Sequence, residues 1–183
     1  MTTHYGNSAA LQKRTLFYDS GELESATASI SLSSIPQVDG ASLEILVSGR
    51  STRATETNDW CRMEVNGDTT NTNYRYAENW GGGGTTAGGD SGQQPVIGQL
   101  TAAGAAGTNW FAAFKATLPF YASSDHHKDA FSVQAGIRTT SQQYAQNWAW
   151  RWANTNAITS LVFKPQNANF EAGTRIQVWI TLP

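Results

Sequence analysis

Apolar and polar side chains alternate along most of this chain. From Ala26 through Ala28, Ile30 and Leu32 the apolar positions are separated by Thr27, Ser29 and Ser31, the period of a half-buried strand. Leu43, Ile45 and Val47 share a face opposite Glu44. Phe131, Val133, Ala135 and Ile137 share one opposite Ser132, Gln134, Gly136 and Arg138, and Ile176, Val178, Ile180 and Leu182 line one side of the last segment. The same reading predicts strands over Arg14–Tyr18, Trp60–Val65, Asn73–Trp80, Val96–Leu100, Trp110–Leu118, Gln143–Trp152 and Ile158–Phe163. No window carries a helical stripe. About ten strands separated by Gly, Asn, Asp and Pro turns predict an all-β protein, a jelly-roll-like antiparallel β-sandwich.

Turn chemistry refines this pattern. Asn66-Gly67-Asp68 follows an alternating segment, and Asn-Gly supplies the positive φ angles of a tight reversal. Gly81 to Gly92, rich in glycine, reads as a flexible surface loop. Residues 1–13 read as a polar N-terminal arm and residues 14–183 as one sandwich domain, because alternation continues past the glycine-rich stretch without a change in composition. A chain of 183 residues is long enough to bury roughly 70% of its unfolded surface in a single core.

Charge narrows the function. With 12 basic and 14 acidic side chains and a net charge of -2, the chain lacks the basic field that nucleic-acid or anionic-membrane binding draws on. Only 14% of residues are charged, against about 25% in an average domain, while Ser, Thr and Asn supply 49 positions. A polar, weakly ionic surface suits persistent contact with neighbours. The single cysteine, Cys61, excludes an intrachain disulfide and any multi-cysteine metal site, and it shares a face with Met63 and Val65, as a buried thiol would. Met1-Thr-Thr-His-Tyr-Gly-Asn7 has neither the charged start nor the apolar run of a secretory leader, and no membrane-spanning segment is expected.

Candidate chemistry is sparse. Asp125-His126-His127-Lys128-Asp129 holds metal-ligating side chains, but adjacent residues of an extended chain point to opposite sides, so the two imidazoles do not converge. The glycine-rich stretch lacks the Lys-Ser or Lys-Thr ending of a phosphate-binding loop, and no serine or cysteine nucleophile motif is present. Glu44, Glu64 and Asp68 are carboxylates that a glycosidase on a β scaffold would need in a pair. No catalytic residue, metal or cofactor is expected from these patterns. The most unusual feature is Asn147-Trp148-Ala149-Trp150-Arg151-Trp152, which puts Trp148, Trp150 and Trp152 on one face of one strand. Such a stripe serves as a core strand, as a subunit interface, or as a platform on which sugar rings stack.

Three blocks carry a family resemblance: Leu43-Glu-Ile-Leu-Val-Ser-Gly-Arg50, then Val65-Asn-Gly-Asp68 with Asn73-Tyr74, then Ala157-Ile-Thr-Ser-Leu-Val-Phe-Lys-Pro165 followed by Asn169-Phe-Glu-Ala-Gly-Thr174. Their order and spacing resemble a β-sandwich module of structural proteins in tailed-bacteriophage virions. Pro119-Phe-Tyr121 with Lys128 is similar to that module's central Pro-x-Tyr and Lys. Thr174 stands where the module usually has Ser, and Val178-Trp-Ile180 where a Leu-Tyr-Gly ending is common. The resemblance implies a virion scaffold, with Arg50, Asn66, Gly67, Asp68 and Gly173 as turn and scaffold residues. The protein expected is a capsid decoration (cement) protein on the particle surface, assembled in the host cytoplasm and bridging capsomers as a homo-oligomer against the major capsid protein or other virion proteins. The alternative is a tail-tip or fibre module that recognises host-surface glycan.

Overall fold

The computed structural model describes residues 13–82, 85–104, 109–139 and 142–183. Apart from Lys13, the expected N-terminal arm therefore lies outside the described residues. Among them are twelve strands: β1 (Arg14–Asp19), β2 (Ile30–Leu32), β3 (Ser42–Ser51), β4 (Asn58–Val65), β5 (Tyr74–Gly82), β6 (Thr85–Gly92), β7 (Val96–Ala102), β8 (Ala112–Leu118), β9 (Lys128–Thr139), β10 (Gln142–Trp152), β11 (Leu161–Pro165) and β12 (Arg175–Thr181). One 3-10 turn, Asn71–Asn73, precedes β5. The chain is all-β and of the sandwich class.

The larger layer runs β1-β12-β3-β8-β9-β10-β5-β6, antiparallel throughout. The smaller layer runs β2-β11-β4-β7, also antiparallel. β3 belongs to both: its last residues, Arg50 and Ser51, lie parallel to Thr101 and Ala102 of β7 and so join the layers. β7 packs over β8, β9, β10 and β5. Between the layers lie Leu43, Ile45, Val47, Met63, Leu100, Trp150, Ile176 and Val178, all buried. Each such side chain contributes roughly 1.5–3 kcal/mol over an exposed one.

The segment read as a flexible loop, Gly81 to Gly92, instead ends β5 and forms β6. Two of its glycines are opposite aromatic side chains: Gly88 pairs with Trp80 and Gly92 with Tyr76. A Cβ on Gly88 would stand 2.5 Å from Trp80 Cζ2, and one on Gly92 2.8 Å from Tyr76 Cε1. The missing side chains make the seats in which the rings lie. The first alternating run is shortened for the opposite reason. Ala26 and Ala28 are exposed and bury little, so only Ile30–Leu32 holds as a strand, with Thr27 forming one bridge to Phe170.

β9 reverses the expected polarity. Ser132 and Gln134 point inward and are buried, whereas Phe131 and Val133 are 58% and 48% exposed. The cause lies in β7, which has β4 along one edge and meets β3 only near Thr101. At Ile97 and Gln99, side chains of β9 take the place of a neighbouring strand. Ser132 Oγ donates to the Ile97 carbonyl at 2.6 Å, Gln134 Nε2 donates to the Gln99 carbonyl at 2.7 Å, and the Gln99 N–H donates to Gln134 Oε1 at 2.7 Å. Three buried backbone groups are satisfied in this way, and each would cost about 1–3 kcal/mol without a partner, so together they offset the exposure of Phe131 and Val133 at roughly 1.5–3 kcal/mol each.

Candidate interaction face

The residues carrying the family resemblance tie loops together. Asn66 and Gly67 have φ of +52° and +73°, the left-handed pair of a tight reversal. Asn66 Oδ1 accepts the N–H groups of Thr159 (2.8 Å) and Ser160 (3.1 Å), and its Nδ2 donates to the Ala157 carbonyl at 2.8 Å. Asp68 accepts from the Thr70 N–H, Asn73 Nδ2 and Trp152 Nε1 at 2.9, 2.9 and 2.8 Å. Burial pushes the Asp68 carboxyl pKa up, but those hydrogen bonds outweigh it and hold the value below the ordinary carboxylate range.

A second knot forms around Arg50, which is buried. Its Nε donates to Glu171 Oε2 at 2.6 Å, and its terminal nitrogens donate to the carbonyls of Trp110 (3.2 Å) and Ala103 (3.3 Å), so one planar fork ties three segments. Gly173, close by in sequence to Glu171, has a φ of +85°, and a Cβ there would meet Phe111 Cζ at 2.9 Å. Tyr121 donates to the Pro36 carbonyl at 2.5 Å, and buried Lys128 donates to the carbonyls of His126 and Thr155 at 2.8 and 2.9 Å.

The tryptophan stripe is corrected. Trp148, Trp150 and Trp152 are only 2%, 3% and 1% exposed, so they offer neither a sugar-stacking platform nor an interface to a neighbour. β10 lies in mid-sheet between β9 and β5, and this face of it looks into the sandwich. Trp148 packs on Tyr76 and Trp150 on Tyr74, each with ring centroids 5.8 Å apart, while Trp152 is anchored by Asp68.

Each candidate carboxylate is already engaged. Glu44 lies on the outer side of β3 between Arg14 (3.1 Å) and Lys115 (3.0 Å), Glu64 on β4 meets Lys164 at 2.5 Å, and Asp68 is engaged in its turn. His126 and His127 are exposed, and among the described residues no three metal-ligating side chains converge. Cys61 is fully buried, and burial drives its thiol pKa far upward.

What the structure brings together is the outer side of the larger sheet. Ala113 of β8, Phe131, Val133 and Ala135 of β9, Ala149 of β10 and Ala77 of β5 are exposed and lie side by side. A shallow groove of about 410 Å³ crosses this face between Leu46, Ala113, Lys115, Val133 and Gln177. Most of its charges are paired in place, whereas Arg75, across from Arg151, donates to the carbonyls of Thr72 and Tyr74. Arg151 grips Asp129 at 2.7 and 3.3 Å, Arg175 grips Asp19 at 2.9 and 2.5 Å, and Glu44 takes two cations. The hydrogen bonds from Arg175 and Gln177 hold the Asp19 carboxyl well below the usual carboxylate range. The result is a broad surface of small and apolar side chains with most of its charges paired. Its one signal in the sequence was the apolar half of β9, which alternation alone assigned to the core.

No protein-family model, curated protein or solved structure matches the chain.

Proposed function

We propose that the chain is a structural subunit of a tailed-bacteriophage particle, a capsid decoration protein that holds neighbouring capsomers together. The observation that carries this reading is the outer face of the larger sheet. Phe131 and Val133 are exposed there among alanines, with most of the surrounding charges paired. A lone soluble domain rarely leaves such a patch bare, and a protein partner is what it fits. The resemblance of the three sequence blocks to the virion module supports the same reading. The loop-tying work of Arg50, Asn66 and Asp68 suits a subunit that functions as a rigid plate. Each contact with a capsomer is modest, and strength comes from engaging several sites at once.

The test is the composition of purified particles and their reassembly. A decoration protein is present at a copy number comparable to the major capsid protein, and it rebinds stripped capsids saturably. Phe131→Asp abolishes rebinding while leaving the fold intact. A handful of copies per particle, or undiminished rebinding by Phe131→Asp, overturns the reading.

A further inference from the structure

A second site lies away from the outer face, where β4 begins and the chain leaves β11. There a cleft of about 250 Å³ is lined by Arg53, Asn58, Asp59, Trp60, Gln166 and Asn167. We propose that this cleft binds an uncharged saccharide, with Trp60 as the stacking surface and the surrounding amides as hydroxyl partners.

The chemistry of the lining selects this ligand class. Asp59 forms the floor, its side chain wholly buried. It is held by the Trp60 N–H at 3.0 Å and by Asn167 Nδ2 at 3.0 Å. Arg53 at the rim lies 4.0 Å from Asp59 and 3.7 Å from Glu56, so its charge is compensated and does not recruit an anion. The remaining groups are the amides of Asn58, Gln166 and Asn167; the Asn58 and Asn167 nitrogens already donate to Gln99 Oε1 (2.9 Å) and Asp59, which leaves their carbonyl oxygens to accept from sugar hydroxyls. Gln166 Oε1 is buried with no hydrogen-bond partner, an arrangement that costs about 1–3 kcal/mol. A small rotation of this amide lets an entering hydroxyl satisfy it. Trp60 is partly exposed and supplies the flat apolar surface that the C–H face of a pyranose ring covers.

Trp60 meets Tyr76 edge-on at 5.4 Å, and the Tyr76 hydroxyl donates to Asp90 at 3.1 Å. Asp90 on β6 stands directly across from Glu78 on β5. Like charges opposed across strands are destabilising, and this pair is kept at the inner edge of the sheet, beside Trp80 over Gly88. Burial first, and then the two carboxylates, push the Tyr76 phenol up to about 12. Asp90 also accepts the Ser91 N–H, and Glu78 accepts Gln146 Nε2.

The experiment is titration of the full chain with uncharged glucose, galactose and N-acetylglucosamine oligosaccharides, followed by calorimetry and tryptophan fluorescence, with sulfated and sialylated oligosaccharides alongside. The expected result is saturable binding of at least one neutral series. Trp60→Phe keeps the edge contact to Tyr76 but removes the indole, and Gln166→Ala removes one amide. Each weakens binding by about tenfold while the thermal midpoint stays near that of the parent. No binding of any neutral series, binding of anionic sugars alone, or binding untouched by both variants overturns the assignment. Capsid rebinding by the same two variants stays at the parent level, so failure here is distinguishable from failure of the decoration reading.

Discussion

β9 and β10 are neighbours in one sheet, keep one register from Gln143 to Trp152, and alternate apolar with polar residues equally well. They face opposite ways. β10 turns Trp148, Trp150 and Trp152 inward and shows Ala145, Asn147, Ala149 and Arg151 to solvent; β9 turns Ser132 and Gln134 inward and shows Phe131 and Val133. The two choices are coupled. Paired residues place Trp150 beside Ala130, Trp148 beside Ser132 and Tyr144 over Gly136, where a Cβ would come within 2.4 Å of the ring's Cζ. The small inner side of β9 is the space that the large inner side of β10 fills. Its two polar members, Ser132 and Gln134, then serve the edge of β7. The pair shows that alternation specifies which residues share a side, while the neighbouring strand and the facing sheet specify which side is buried.

The comparison can be broken at its strongest point first. Trp150→Ala removes a buried indole from the core side of β10, and the expected loss is about 3–5 kcal/mol in urea unfolding. Gln134→Leu on β9 makes the inner side more apolar, yet it strands the N–H and carbonyl of Gln99. A loss of about 2–4 kcal/mol is expected, and a stabilised variant would refute the edge-capping role. Smaller and dependent on pH is Asp68→Asn, which weakens the anchor of Trp152. The folded pKa of Asp68 is depressed, so its contribution is present above the unfolded value of about 3.9 and fades as pH falls through the lower folded value. The stability gap between parent and variant should therefore close on acidification, and a constant gap would argue against the ionised carboxylate. The smallest effect belongs to Phe131→Ser, within about 0.5 kcal/mol, although this residue matches the periodicity of the core.

Several features were legible because a residue type has only one way to meet a local demand. Asn66-Gly67 is the clearest, since both positions need positive φ. The strands around Leu43, Trp60, Phe114 and Ile176 follow from alternation, and each was found within a few residues of its expected limits. β6 escaped because glycines report themselves by what they leave out, and the rings of Tyr76 and Trp80 that fill the gap come from the preceding strand. The interaction face escaped because the edge of β7 is satisfied from a strand more than thirty residues away, a demand invisible to any local window. The cleft around Trp60 assembles residues from the ends of β4 and β11 and the loop after β3, with no motif linking them.

The amide of Gln134 has a further effect on motion. Two sheets held only by apolar side chains can slip past one another, because such contacts lose little when each group trades one neighbour for the next. The Gln134 bonds to the Gln99 N–H and carbonyl are directional and cannot be traded in this way. They pin the layers against shear at one point near the middle of the sandwich. The Gln99 amide, although at the margin of its own sheet, should exchange its hydrogen as slowly as any in the core, and the two layers should open together.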